Sequence, residues 1–137
     1  MIIADTGAIV ALIDRDDQHH TVLLALFDDD PVRWLLPWAI LPEVDYLISK
    51  YVGTRTEEAF VSDLSNGLFQ IEWGSAEDVQ RADELNQQYR DLKLGLVDSA
   101  VMAIAERTRA DAIATLDERH FGAVALRGSP RLLPRDL

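Results

Sequence analysis

Along the chain, short continuous apolar runs alternate with longer stretches in which apolar residues recur every three or four positions. Ile2-Ile3-Ala4 is apolar and partly β-branched, and Asp5 closes it, which predicts a buried strand with Asp5 at its carboxyl end. Thr6-Gly7 turns the chain, and 8–13 continues as an apolar helical segment. The polar break Asp14-Arg15-Asp16-Asp17-Gln18 precedes a second helix over about 19–28, with Val22, Leu23, Leu26 and Phe27 on one side. Trp34-Leu35-Leu36 predicts the next strand, with Pro37 at its margin. Pro42 suits the first turn of a helix, where its missing N–H is not needed. Val44, Leu47, Ile48 and Tyr51 share one face of that helix, and Gly53 stops it. Thr54 and Glu57 have the spacing of a capping box for a helix to about 64, which Asn66-Gly67 closes.

A short strand over 68–71 follows. Ser75 and Asp78 then start a long helix to about 89, with Val79, Ala82, Leu85 and Tyr89 as its core stripe. After a loop over 92–95, the most apolar helix runs over 97–108, with Val101, Ile104, Ala105 and Thr108 at helical spacing. Ala112-Ile113-Ala114-Thr115 reads as a central parallel strand, with Asp117 just beyond it. A helical turn over 118–121, an edge strand near 124–126 and a Pro/Arg-rich tail complete the chain. The one Asn-Gly pair lies between a helix and a strand, so no hairpin is signalled. The expectation is an α/β fold, a mostly parallel central sheet flanked by helices in three layers, as one domain over 1–137 with no linker.

Composition narrows the chemistry. A hydrophobic content of 48% argues against disorder, and the absence of cysteine removes disulfides, thiolate zinc sites and cysteine nucleophiles. No apolar run is long enough to span a membrane, and the amino terminus meets an acid at position five with no basic region before it. A cytoplasmic protein without a membrane partner is expected. The formal charge of −11 runs against the usual sign of a nucleic-acid binder. Eleven of the thirteen bases are arginine, the better phosphate fork, and Arg119, Arg127, Arg131 and Arg135 crowd the last nineteen residues. Both a basic rim on an acidic body and plain solubilising charge fit them.

Four acids stand out by placement. Asp5 and Asp117 follow predicted strands, and open α/β sheets bind ligands beyond the carboxyl ends of their strands. Asp98 and Glu43 lie in the first turns of apolar helices, where an acid needs a partner. Each alone can also be read as a cap, loop or first-turn acid, Glu43 and Asp117 more readily than Asp5 and Asp98. Together they need a neutralising charge, and the only lysine near any of them is Lys93. Mg2+ or Mn2+ fits an all-oxygen set, whereas no histidine lies close in sequence to Asp5, Glu43 or Asp98 to favour zinc. No glycine-rich dinucleotide turn or phosphate loop is present.

Ile2-Ile3-Ala4-Asp5-Thr6, Pro42-Glu43-Val44, Gly95-Leu96-Val97-Asp98-Ser99-Ala100 and Thr115-Leu116-Asp117-Glu118-Arg119-His120-Phe121, in this order, resemble the PIN domain, and within it the VapC-type ribonuclease toxins of bacterial toxin–antitoxin pairs. The resemblance covers the whole chain. It implies a PIN-like fold and an acidic quartet of Asp5, Glu43, Asp98 and Asp117. It further implies a Mg2+-dependent endoribonuclease that hydrolyses RNA, of the tRNA or rRNA kind, with metal-activated water. Thr6 and Thr115 match hydroxyl positions beside the first and last acids, and Arg119 and His120 are candidates for substrate contact. Asp16, Asp17, His19 and His20 resemble an acid–histidine stretch after the first helix; helix capping is expected of Asp17 and a structural role of His20. A homodimer and a small antitoxin partner are also implied, with Tyr46, Leu47 and Tyr51 as candidate partner surface. Core or dimer packing is expected of Trp34, Trp38 and Trp73 ahead of base stacking. The alternatives are a non-catalytic protein-binding module of the same fold and another metal-dependent nuclease or phosphatase.

Overall fold

The computed structural model describes residues 1–137. Five strands form one sheet, β1 (Ile2–Ala4), β2 (Trp34–Pro37), β3 (Gln70–Glu72), β4 (Ala112–Ala114) and β5 (Arg131–Leu133), in the order β3-β2-β1-β4-β5. Every pairing is parallel, so all five carboxyl ends share one edge. Parallel strands need crossovers, and here these are helices. They are α1 (Thr6–Ile13), α2 (His20–Asp29), α3 (Leu41–Tyr51), α4 (Thr54–Ser65), α5 (Ala76–Gln88) and α6 (Gly95–Arg107), with a single turn α7 (Glu118–Phe121) after β4.

The central strands are uniformly apolar because both faces are covered: Ile3, Ala4, Ile113 and Ala114 have no exposed surface. Trp34 lies in this core, against Phe27 edge-on, while Trp73 is exposed. The expected parallel sheet and its flanking helices are present, and three local expectations give way. The edge strand is Arg131–Leu133, not 124–126. Val124 and Leu126 are buried, but the intervening Ala125 N–H donates to the Tyr89 hydroxyl and the Arg127 N–H to Glu106, so this backbone bonds side chains instead of a ladder. Thr54 does not cap α4. Gly53, at φ +142°, closes α3 and directly precedes α4, which makes Thr54 already helical.

The core stripe of α5 keeps Ala82, Leu85 and Tyr89 and differs at one position. Val79 is exposed, and Asp78, Ala82 and Leu85 face inward. Burial of Asp78 is tolerated because its carboxylate receives the Ser75 N–H and two nitrogens of Arg107 from α6, at 2.7 and 3.0 Å. A second pair, Arg81 to Glu106 at 2.7 Å, joins the same two helices. These ties hold α6, and with it Asp98, in register beside the sheet. No helix is long and apolar enough to cross a membrane.

Candidate metal centre

Asp5 directly follows β1, and its backbone N–H extends the ladder to the Ala114 carbonyl at 2.9 Å. The residue precedes α1 at the cap position, yet its side chain caps nothing. Instead Asp5 Oδ2 accepts a hydrogen bond from Thr115 Oγ1 at 2.9 Å, and that same hydroxyl accepts the N–H of Asp117 at 3.0 Å. One threonine at the end of β4 therefore fixes two acids from neighbouring strands. Asp117 does cap α7, accepting the His120 N–H at 3.0 Å. Asp98, in the first turn of α6, meets His120 Nδ1 at 2.6 Å, and the same nitrogen lies 3.1 Å from Asp117 Oδ2. Ser99 beside Asp98 is fully buried and turns its hydroxyl to the Gly95 carbonyl, a structural use.

Asp5, Thr6, Asp17, Glu43, Asp98 and Asp117 line one cavity of about 580 Å³ at the carboxyl edge, with Val10, Leu47 and Leu116 among its apolar walls. All four sequence-selected acids thus open onto one space, and Glu43 reaches it from the first turn of α3. Thr115 sits behind the cavity. Arg119 is exposed on α7 and pairs with no carboxylate. Asp17 joins the lining, which its sequence surroundings did not signal. The segment 14–19 folds back along α1, where the His20 ring meets the Ala11 carbonyl at 3.0 Å, and the Asp17 carboxylate also accepts the His19 N–H at 2.7 Å. Asp16 is exposed.

The electrostatics are those of a site short of positive charge. Asp5 is 5% exposed, and burial pushes its pKa up to about 6 against the lowering effect of the Thr115 hydrogen bond, with Asp98 and Asp117 repelling it further. Burial also raises Asp98, and the His120 hydrogen bond only partly offsets this. Neither lysine nor arginine pairs with any of the four acids; His120 is the sole basic group in contact. Ligand atoms of Asp98, Asp117 and His120 all lie within 4.8 Å of one another, a spacing one ion spans. Thr6 Oγ1 is buried against the cavity with no hydrogen-bond partner in the protein, an unmet polar atom where a hydrated ion or a phosphate oxygen would satisfy it. The residues present therefore fit a divalent cation. No histidine lies close in sequence to Asp5, Glu43 or Asp98, yet folding of α7 against α6 brings the remote His120 into contact with Asp98.

A parallel sheet with an acid cavity at its carboxyl edge and no glycine-rich phosphate loop defines an α/β protein with an acidic site able to hold a metal ion. Residues 2–126 match the PIN domain, and the chain belongs to that family. It is 29% identical over 130 residues to Ribonuclease VapC26 of Mycobacterium tuberculosis, covering 95% of this chain and 96% of that one. Its fold is similar to that of Mycobacterium tuberculosis VapC20, a sarcin-ricin loop cleaving toxin, with a TM-score of 0.81 at 19% identity over 95% and 99% of the two chains. A toxin–antitoxin complex from Klebsiella pneumoniae superposes with a TM-score of 0.70 at 22% identity over 90% of this chain and 92% of that one.

Proposed function

We propose that this chain, acting as a single PIN domain, is a divalent-metal-dependent endoribonuclease and the toxin of a toxin–antitoxin pair. The observation that carries the reading is the convergence of Asp5, Glu43, Asp98 and Asp117 on one cavity without an arginine or lysine partner. The relationship to Ribonuclease VapC26 along nearly the whole chain supports the activity class. Mg2+ is the proposed ion. Mn2+ is the natural substitute, because it takes the same carboxylate and water oxygens.

In this reading Asp5, Asp98 and Asp117 hold the ion, and Glu43 joins them directly or through water. When bound, the ion supplies charge that makes a water acidic enough to attack a phosphodiester and that stabilises the leaving oxygen. The chain's own part is positioning. Thr115 holds Asp5 and the backbone of Asp117 at a set separation, and His120 fixes the orientation of the Asp98 carboxylate. Thr6 offers its free hydroxyl to whatever oxygen enters. The place of action is the cytoplasm, where RNA is available. The antitoxin and a second copy are the proposed partners, and α3 offers Tyr46 and Tyr51, both largely exposed, as contact surface.

The test incubates purified protein with total RNA in Mg2+, in Mn2+ and in EDTA, and repeats the assay with Asp5→Asn and Asp98→Asn. Cleavage in either metal, lost in EDTA and in both variants, is the expected result. Cleavage that persists in EDTA and in both variants overturns the reading.

A further inference from the structure

The opposite edge of the sheet carries a second feature that the acid site does not use. Met1, Arg33 and Asp111 directly precede β1, β2 and β4, and Arg131 opens β5, so all four stand at the amino ends of the strands. A cavity of about 700 Å³ lies there, larger than the acid cavity, lined by Arg33, Glu106, Arg109, Asp111, Arg127 and Arg131 with Ala110 as its only apolar wall. Four guanidinium groups face two carboxylates, and both carboxylates are already engaged. Glu106 is held by Arg81 at 2.7 Å and accepts the Arg127 backbone N–H at 2.8 Å. Asp111 is held by the Met1 amine at 2.6 Å and by Arg33 at 3.0 Å. Arg109, Arg127 and Arg131 consequently form no salt bridge, although Glu106 feels the charge of Arg127 and Asp136 that of Arg131.

In a chain of net charge −11, three unpaired arginines converging on one cavity concentrate positive charge against the field of the whole molecule. The backbone adds to this. Arg109 ends α6 at φ +52°, a conformation that glycine takes without steric cost and arginine does not. Gly128 and Ser129, at φ +82° and +47°, form the tight turn that places Arg127 and Arg131 on either side of it. Planar guanidinium forks match phosphate oxygens, and the lack of any aromatic wall leaves nothing for a base to stack on.

We propose that this arginine-lined cavity binds the phosphate backbone of RNA, as an anchoring site on the edge opposite the acid cavity. The strands between the two edges are three or four residues long, roughly 10 Å of sheet, a span that a few nucleotides or a folded RNA covers. The inference rests on the ribonuclease reading only for the identity of the polyanion; the binding itself needs neither the metal nor the acids. Contact is with phosphate, so it is independent of base sequence and sensitive to salt.

The test measures binding of a short stem–loop RNA in EDTA over a salt series, with Asp98→Asn as the background so that cleavage cannot intervene. Arg127→Ala with Arg131→Ala leaves both backbone hydrogen bonds intact, and a thermal melt checks that this variant folds. Expected are an affinity loss of about tenfold and a salt slope shallower by about 1.5, competition by inorganic pyrophosphate in the parent, and no comparable change for Arg55→Ala with Arg90→Ala, which removes two unpaired arginines elsewhere. Equal losses in the two double variants, or pyrophosphate binding at the cavity without any RNA effect, overturn the proposal. Retained cleavage by Asp98→Asn in Mg2+ would instead count against the ribonuclease site and leave the anchoring result standing.

Discussion

Two sets of inward-facing acids lie on either side of α6, and they are treated in opposite ways. Asp78 and Glu106, in the seam between α5 and α6, each receive an arginine at 2.7 Å. Burial works to raise the Glu106 pKa, but hydrogen bonds from Arg81 and from the Arg127 backbone, together with the arginine charges, bring it below the ordinary glutamate value. At the carboxyl edge burial raises Asp5 and Asp98 as well, and there no arginine arrives to reverse it. A carboxylate met by an arginine thus ends below its usual pKa, and carboxylates that no arginine reaches end above theirs. The difference separates acids whose arginine partner is part of the fold from acids that the fold leaves without one. A buried carboxylate left without an internal cation is costly; of the four acids Asp5 is buried, Asp98 and Asp117 are half-buried and Glu43 is exposed, and their convergence supports the proposed metal site.

The largest expected effect breaks the functional set. Asp98→Asn or Asp5→Asn should lower RNA cleavage at least about 100-fold, more than loss of a residue that only supports a ligand, while the ion-free protein melts at the same temperature or higher because a disfavoured charge is gone. A matched loss of activity and stability in both variants would dissolve the distinction. Thr115→Val should cost about 10- to 100-fold in activity, since Asp5 and Asp117 both depend on its hydroxyl. Restoration by Thr115→Ser, read in the same cleavage assay, would tie the effect to the hydrogen bonds.

The structural set should break in the opposite way. Asp78→Asn leaves Arg107 without its main partner and should cost about 2 kcal/mol in chemical denaturation, less than a fully buried pair because the arginine is partly exposed. Cleavage by the folded fraction should be unchanged.

The pH dependence sharpens the contrast further. Asp5 has a folded pKa of about 6 against an ordinary value of 3.8, so its protonated form is favoured by folding. Its stabilising contribution is complete below about pH 4 and is lost as pH rises through about 6, at most about 3 kcal/mol for a shift of this size. Glu106 has the opposite sign: its contribution is present above the ordinary glutamate range and is lost as pH falls through its lowered value. Melts of the ion-free protein should therefore show a decline between pH 4 and 6 that Asp5→Asn removes. Added Mg2+ should offset that decline most above pH 6, where the carboxylate is ionised. The smallest effect belongs to Glu84, the exposed partner of Arg81; Glu84→Ala should change stability by no more than about 0.5 kcal/mol.

Much of this architecture was readable in one dimension because burial on both faces of a parallel strand leaves a continuous apolar run. Ile2–Ala4 and Ala112–Ala114 showed that signature, and the acids at their ends followed from it. The segment 124–126 mimics an edge strand because Val124 and Leu126 are as buried as strand residues while their neighbouring N–H groups bond Tyr89 and Glu106. Apolar spacing reports burial and does not report where backbone donors go. Asp78 takes the inward place expected of Val79 on α5 for a related reason: an aspartate faces inward only if a cation meets it, and Arg107 comes from another helix.

The sequence by itself determined the alternation of strands and helices, the parallel sheet, and the places of Asp5, Glu43, Asp98 and Asp117 at strand ends and helix starts. Those properties depend on period, turn chemistry and the cost of burying charge, which are local along the chain. Tertiary structure alone decided that Thr115 bridges two of the acids, that His120 meets Asp98, that Asp17 joins their cavity, and that arginines distant in sequence gather at the other edge. Hydrogen bonds and charge pairing act over a few ångströms, and only the packed chain brings such groups that close.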